Sequence, residues 1–124
     1  MTSKELNVKL LKLLPEIEQL YKGEVSWQEG DETGSHTVFS DVLFPYILDN
    51  IEDVETTKKV FDVIEKILEL HDEYADEVIT LSVLENLFYE QEIIDKFEKY
   101  LGVLSKHIFS QFQLWWFYRR MGKL

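Results

Sequence analysis

The 124-residue chain is the size of one domain, and its 45 % hydrophobic and 14 % aromatic residues are enough for a folded core. It has no cysteine, which excludes a disulfide framework, a thiol nucleophile and thiolate metal sites; its 5 Gly and 2 Pro are too few for a turn-rich β-sandwich. The 24 acidic and 13 basic residues give a net charge of −11, so the chain as a whole is repelled by nucleic acids and anionic membranes and attracts cationic proteins.

The negative charge is concentrated in the middle of the chain. Residues 1–48 carry −4, residues 49–98 carry −12, and residues 99–124 carry +5 with no acid. Such asymmetry is typical of an interaction surface or of internal charge complementarity. No signal-type segment is visible, and no apolar run approaches the ~18 residues of a membrane-spanning helix. We therefore expect a soluble, cytoplasmic protein with one helical domain over residues 1–124.

Apolar residues recur at helical spacing along nearly the whole chain, which predicts an all-α bundle of five or six helices. The first apolar stripe runs from Leu6 to Tyr21, with Ser3 as the expected N-cap. Pro15 interrupts this stripe, so it either kinks one helix or starts a second. Because the stripe continues through the proline, we favour a kink. Gly23 is expected to end the segment.

Residues 24–36 form the one clear loop, with two glycines, four acids and Trp27. Trp27 either covers the core beneath the loop or is an exposed anchor for a partner, and we favour the first interpretation. Residues 37–51 follow as a second helix. Asp41 is its expected cap, which leaves Pro45 in the first turn, where a missing N–H costs least.

The third helix is predicted from Asp53, as its N-cap, to about His71. Two i,i+4 ion pairs are expected along it: Glu55–Lys59 and Asp62–Lys66. Residues 78–84 are rich in β-branched side chains and alternate in polarity, so a strand is an alternative there. Because helical spacing continues through Phe88, we predict a helix, and the most buried one of the domain.

A short fifth helix is predicted to end at Gly102 in the C′ position, and the last helix runs from Val103 to about Arg120. Basic residues lie along it or at its end, where they suit the helix dipole: Lys106, Arg119, Arg120 and Lys123. Its aromatic stretch has three interpretations: a core stripe with Arg groups stacked on rings, a nucleic-acid platform, or a partner or dimer surface. We favour the core. However, four adjacent aromatic residues do not fit on one side of a helix, so at least one of them is expected on the surface: Trp115, Trp116, Phe117 and Tyr118.

No pattern of catalytic or metal-ligating residues is visible. His36, His71 and His107 lack ligand-type partners three or four residues away, and an EF-hand that began at Asp31 would need glycine where His36 stands. Gly-rich phosphate loops and serine nucleophile motifs are missing from the sequence. Most acids lie opposite apolar stripes, as on a solvated face. We therefore predict no enzyme activity, no cofactor and no metal site.

Two stretches resemble a family of small helical bacterial proteins. They are residues 34–46 (GSHTVFSDVLFPY) and residues 72–87 (DEYADEVITLSVLENL), the latter followed by residues 100–102 (YLG). Ser40 stands where the family motif usually has glycine. Members of the family look like immunity proteins, the antidotes encoded beside secreted or contact-delivered toxins. The resemblance implies a toxin as the partner, and it supplies no catalytic residue.

The charge pattern and the resemblance point to the same function. Many such toxins are nucleases, whose basic clefts hold phosphates, and carboxylates can occupy the same cleft. We predict an immunity protein that blocks a toxin, with a basic nuclease domain as the expected partner and no direct contact with nucleic acid or membrane. The candidate contact residues form two groups. The loop cluster comprises Glu24, Trp27, Glu29, Asp31 and Glu32. The junction cluster comprises Asp72, Glu73, Tyr74, Asp76 and Glu77.

Two alternatives stay open. Both clusters are equally compatible with plain solvated surface and helix-start acids. The chain is also compatible with a helical adaptor or self-associating protein that uses its C-terminal aromatic helix. Salt dependence separates these functions, because capture through acids slows with salt and an aromatic interface responds little. The oligomeric state is not determined by the sequence.

Overall fold

The computed structural model describes residues 1–122, which fold into seven α-helices without a β-strand. Short 3-10 turns join several of the helices. The all-α prediction is confirmed, with seven helices rather than five or six. The helices are α1 (Ser3–Leu13), α2 (Glu18–Val25), α3 (residues 35–49), α4 (Val54–Leu68), α5 (residues 73–88), α6 (Ile94–Phe97) and α7 (Val103–Arg120). No helix of residues 1–122 has both the length and the apolar character needed to cross a membrane.

Pro15 separates two helices, so the prediction of one kinked helix is wrong. α1 ends at Leu13, and the proline opens a 3-10 turn, Pro15–Ile17, that leads into α2. Leu14 leaves the helical conformation (φ −136°, ψ 67°), because the residue before a proline is crowded by the proline ring. Leu14 and Ile17 are both fully buried, so the apolar stripe continues across the break. Gly23 lies inside α2 and does not end it.

The N-cap of α1 is Thr2 rather than Ser3. The Thr2 hydroxyl accepts a hydrogen bond from the Glu5 backbone N–H (3.1 Å), and the Glu5 carboxylate accepts one from the Thr2 N–H (2.9 Å). This reciprocal capping box needs Glu three residues after the cap, which selects Thr2. The Ser3 side chain is thereby left for contacts with other elements.

Helices α3 and α5 each contain a π-helical segment, and the two segments pack against each other. In α3 the segment is Phe39–Leu43, and in α5 it is Thr80–Leu84. Asp41 lies inside this wider turn and is not a cap, because α3 already begins at Ser35. Pro45 follows directly, where the wider turn accommodates a residue without an N–H.

Helix α4 contributes a buried apolar stripe to the core. Asp53 caps it by accepting from the Thr56 N–H at 3.1 Å, and its apolar stripe is buried: Val60, Phe61, Ile64, Ile67 and Leu68. The two predicted i,i+4 ion pairs are not among those formed by the described residues. Lys59 Nζ instead lies 2.6 Å from Glu16 Oε2, so this pair joins α4 to the turn before α2. The run at residues 78–84 is helical, and five of its seven residues are buried, whereas Leu81 is exposed.

Gly102 is the N-cap of α7 and not the C′ residue of the preceding segment. Its backbone is extended (φ −78°, ψ −175°), and a Cβ atom there would lie 2.4 Å from Glu65 Cδ. The Glu65 carboxylate on α4 accepts hydrogen bonds from the Leu104 N–H (2.7 Å), the Ser105 N–H (3.0 Å) and the Ser105 hydroxyl (2.9 Å). Glycine is therefore required so that a carboxylate from another helix can cap α7.

Helix α7 closes the bundle only with its first half. Phe109 is buried and Phe112 is partly buried, whereas Trp115 and Trp116 are exposed, so the prediction that these two tryptophans belong to the core stripe is wrong. Within the described part of the chain, the end of α5 covers the last two turns only in part, with the Trp116 ring edge to face against Phe88 (6.2 Å between centroids). The predicted stacking is present: the guanidinium of Arg119 lies 5.1 Å from the Trp115 ring, and that of Arg120 lies 5.9 Å from the Trp116 ring. Lys123, also predicted near this end, lies outside the described residues.

Candidate partner-binding surface

The N-terminal turn of α1 lies between the loop cluster and the junction cluster. The α-amino group of Met1 lies 3.0 Å from Asp72 Oδ1, and Lys4 Nζ lies 3.9 Å from Glu32 Oε1. The two clusters are about forty residues apart in sequence, yet they flank the same turn of one helix. We call this combined surface the acidic face.

A buried polar network holds the acidic face together from beneath. The Ser3 hydroxyl lies 2.7 Å from the Tyr74 hydroxyl and accepts a hydrogen bond from the Ser35 N–H (3.3 Å). The Ser35 hydroxyl donates to Asn7 Oδ1 (2.8 Å), and Asn7 Nδ2 donates to the Thr33 carbonyl (2.8 Å). Because Asn7, Thr33 and Ser35 are almost fully buried, each of these bonds is costly to break. The network connects α1, the loop, α3 and α5.

The loop between α2 and α3 is held at Asp31. The Tyr21 hydroxyl donates to Asp31 Oδ1 at 2.6 Å, and Asn7 Nδ2 also reaches the Asp31 carbonyl at 3.2 Å. Burial, together with the adjacent Asp31 carboxylate, raises the pKa of Tyr21 well above its usual range, so the phenol stays a hydrogen-bond donor. Gly30 has φ +62°, the left-handed region that glycine adopts most readily, and it turns the chain just before Asp31.

His36 lies beside the junction cluster. Its Nδ1 lies 2.7 Å from the buried Ser82 hydroxyl, and its Nε2 lies 3.9 Å from Glu77 Oε1. The ring meets Tyr74 edge to face, with 6.0 Å between centroids. Sequence reasoning treated His36 as isolated because Ser82 is 46 residues away, and no local spacing signals this contact. The imidazole links the start of α3 to the first turns of α5 and to the middle of its π segment.

Most of the predicted contact residues are solvent-accessible. Trp27 is 72 % exposed, so the interpretation that it covers the core is wrong. Glu24 is half-buried and accepts a hydrogen bond from the Gln28 side chain. Tyr74 is half-buried within the polar network. Of the remaining carboxylates, Asp72 and Asp76 are half-buried. The others are exposed: Glu29, Asp31, Glu32, Glu73 and Glu77.

Asp72 and Asp76 have different roles in the junction cluster. Asp72 is the N-cap of α5 and accepts from the Ala75 N–H at 3.0 Å. This backbone hydrogen bond, with the Met1 α-amino group, lowers the pKa of Asp72. Asp76 lines a separate hollow with His71 and His107; its Oδ1 is buried without a hydrogen-bond partner in the described structure, and burial raises its pKa. Asp76 therefore belongs less to the acidic face than the sequence predicts.

The fold and the surface define a class of protein: a small all-α domain with a pre-ordered acidic face. Within residues 1–122, no group of three or more His, Asp or Glu side chains has the arrangement of a metal site. Residues 8–116 match DUF7674, a domain of unknown function, and the chain belongs to this family. No curated protein and no solved structure matches the chain. The structure shows a small helical fold, whereas the relationship to immunity proteins stays a prediction.

Proposed function

We propose that this protein is an immunity protein that acts in the cytoplasm, where it binds a basic toxin domain, expected to be a nuclease, and blocks it with the acidic face. The observation that carries the proposal is the position of the two clusters on either side of one helical turn. Carboxylates so placed match a basic cleft built to hold a run of phosphates. The bound inhibitor keeps the substrate out of the toxin's active site, and this requires no active site in the inhibitor itself.

The fixed loop supports this proposal. Tyr21 and Asn7 hold the loop at Asp31, so its neighbouring carboxylates are already oriented before a partner arrives. Association of two proteins is weakened by the ordering of flexible side chains and loops, and a pre-ordered loop avoids part of that loss. Rapid capture also follows, since opposite charges steer association to rates as high as ~10⁸–10⁹ M⁻¹s⁻¹ at low salt.

Trp27 supplies the apolar contact that such an interface needs. Interfaces gain most of their affinity from a few buried aromatic or arginine side chains surrounded by a polar rim. Trp27 is the most exposed aromatic residue among those described, and acids of the loop cluster surround it in sequence. We therefore expect Trp27 to slow the dissociation of the complex and the exposed acids to accelerate its formation.

The test is inhibition of a nuclease toxin encoded beside this gene, with association rates measured by stopped-flow at 50 and 500 mM NaCl. The triple variant Glu29→Gln/Glu32→Gln/Glu77→Gln removes three charges from the acidic face. Its matched control, Glu90→Gln/Glu92→Gln/Glu98→Gln, removes three exposed charges elsewhere and has the same net charge.

We expect the face variant to associate at least about tenfold more slowly at low salt, and the control to slow by less than about threefold. High salt should remove most of this difference, because the Debye length falls to a few ångströms. Equal slowing of both variants would show that only net charge matters. An unchanged cleavage rate with excess protein would refute the proposed function for that toxin.

A further inference from the structure

The last turns of α7 expose an apolar surface that the proposed function does not use. Six large apolar side chains there are 38–57 % exposed, on all sides of the helix: Leu114, Trp115, Trp116, Phe117, Tyr118 and Met121. Soluble monomers rarely expose so many large apolar groups contiguously, and such patches mark interaction sites. We infer that this surface, the α7 end, binds a second copy of this chain, with the two α7 helices packed antiparallel.

The α7 end carries both hollows and protruding side chains, as a two-fold interface requires. One hollow of about 400 Å³ lies between α5 and α7, and its lining includes Glu85, Tyr89 and Trp115. A second hollow of about 520 Å³ lies on another side of α7 and includes Trp116 and Phe117 in its lining. In an isologous dimer both copies use the same patch, so this patch must contain both the hollows and the side chains that fill them.

Charge complementarity identifies a second copy as the occupant. The segment from residue 99 onwards has five bases and no acid, so two α7 ends complement each other only where a base of α7 faces an acid on another helix of the second copy. Arg119 projects from the same side of α7 as Trp115, over whose ring it stacks. In an antiparallel pair centred on position 115, position 119 of one helix lies opposite position 111 of the other. Gln111 lines the first hollow together with Glu85, which forms no ion pair within the described residues.

Each Arg119 is therefore placed beside Glu85 of the other copy, and two-fold symmetry makes this contact twice. The antiparallel arrangement also sends the two acidic bodies to opposite ends of the helix pair. A different acidic protein could also pair with Arg119. A second copy, however, supplies Glu85, which lines the first hollow of this same chain.

The exposed area fits a weak dimer. A large aromatic or aliphatic side chain offers about 150–250 Å², so the six exposed groups present roughly 600 Å² per copy over all sides of α7. A helix pair covers only the groups on one side, and Tyr89, which is 59 % exposed at the edge of the first hollow, adds to that area. The interface is therefore smaller than the about 800 Å² per partner of standard stable interfaces, as is typical of a weak, concentration-dependent dimer.

The experiment is sedimentation velocity of the full chain from 1 to 200 µM, with substitutions at the proposed pair. We expect wild-type protein to shift from 14.8 kDa to twice that mass within this range. Glu85→Arg and Arg119→Glu should each raise the dimer Kd at least tenfold. The double swap Glu85→Arg/Arg119→Glu should restore the Kd to within about threefold of wild type. The control Leu20→Ser changes an exposed leucine on α2 and should leave the Kd within twofold.

Far-UV circular dichroism verifies that each variant keeps its helix content. A wild-type protein that stays monomeric at 200 µM would overturn the inference. A dimer insensitive to Arg119→Glu would overturn the antiparallel pairing. Flotation with vesicles of zwitterionic and anionic phospholipids tests the other occupant for an aromatic and basic surface. Vesicle binding by a protein that is monomeric in solution would replace the dimer with a membrane contact.

Discussion

Asp76 is the half-buried carboxyl whose surroundings fit its charge least. One oxygen is buried without a partner in the described structure, and burial raises the pKa of the group. A raised folded-state pKa means that ionisation costs folding free energy. The contribution of this group to stability is complete below the ordinary value of 3.8 and is lost as pH rises through the folded-state pKa.

We therefore expect Asp76→Asn to stabilise the protein at pH 7 by up to about 1 kcal/mol, because it removes a poorly solvated charge. At pH 3 the carboxyl is protonated, and the two proteins should have nearly equal stability. Urea unfolding at both pH values measures this difference. Glu73→Gln, an exposed neighbour in the same cluster, is the control and should change little at either pH. A destabilised Asp76→Asn protein at pH 7 would contradict the expectation.

Asn7 shows how a residue can be central and still escape sequence analysis. It follows Leu6 in a helix whose pattern is otherwise clear, and one polar residue there attracts no attention. In the fold it is fully buried, with its side chain bonded to the Thr33 and Asp31 carbonyls and to the Ser35 hydroxyl. Its partners lie 24 to 28 residues away, so no local pattern predicts them.

At the scale of the element, the start of α7 depends on a side chain from α4. Glu65 bonds two backbone N–H groups of the first turn, and Gly102 leaves space for the carboxylate. Glu65→Ala should destabilise the protein by about 2 kcal/mol, since the cap and its charge-assisted hydrogen bonds are lost together. Gly102→Ala should cost about 1–2 kcal/mol, because the new Cβ atom displaces the Glu65 carboxylate.

The two substitutions should be strongly coupled. In the Glu65→Ala background, Gly102→Ala meets no carboxylate and should be neutral or slightly stabilising. Gly23→Ala is the matched glycine control: nothing lies within 4 Å of its added Cβ, and its place inside α2 predicts a gain of about 0.5–1 kcal/mol. Chemical denaturation of the four proteins of the cycle measures the coupling. Additive effects would show that Gly102 does not serve the Glu65 contact.

The π segments are a second feature of elements that spacing alone does not predict. Regular α-helical periodicity describes both 35–49 and 73–88 well enough to predict helices there. The extra residue in each wide turn changes the directions in which the side chains point along the helix. In α5, Ser82 of the wide turn lies against His36, and in α3, Pro45 lies just after the wide turn. π turns are rare and occur often at functional sites, and here they support the acidic face from within the core.

At the scale of the whole molecule, the two proposed surfaces are separate. Tyr74 lies near the start of α5 and Glu85 eleven residues later, so about 16 Å of helix lies between the acidic face and the hollow beside the α7 end. We expect Arg119→Glu to leave the rate of toxin association within about twofold of wild type. Glu29→Gln/Glu32→Gln/Glu77→Gln should leave the dimer Kd within the same factor.

Stopped-flow association and sedimentation velocity, applied to both variants, measure this independence. Salt gives a second contrast: rising ionic strength should slow toxin capture strongly and weaken the dimer less, since apolar contacts hold the α7 ends together alongside the two Arg119–Glu85 pairs. A variant that impaired both activities equally would show that the two surfaces are coupled or that one binding event requires the other. Loss of only the activity assigned to the substituted surface is the expected result for each variant.

Residue type and spacing alone predict the helical class, the buried stripe of α4, its Asp53 cap and the bounds of α7, and composition alone shows the uneven distribution of charge. These properties depend on spacing and residue type within one or two turns, and local physics suffices for them. Contacts between elements far apart in the chain establish the role of Gly102 beside Glu65 and the hydrogen-bond partners of Asn7 and His36. They also leave the last turns of α7 largely exposed. Periodicity reveals which side of a helix is apolar, but whether another element covers that side depends on contacts between residues far apart in the chain.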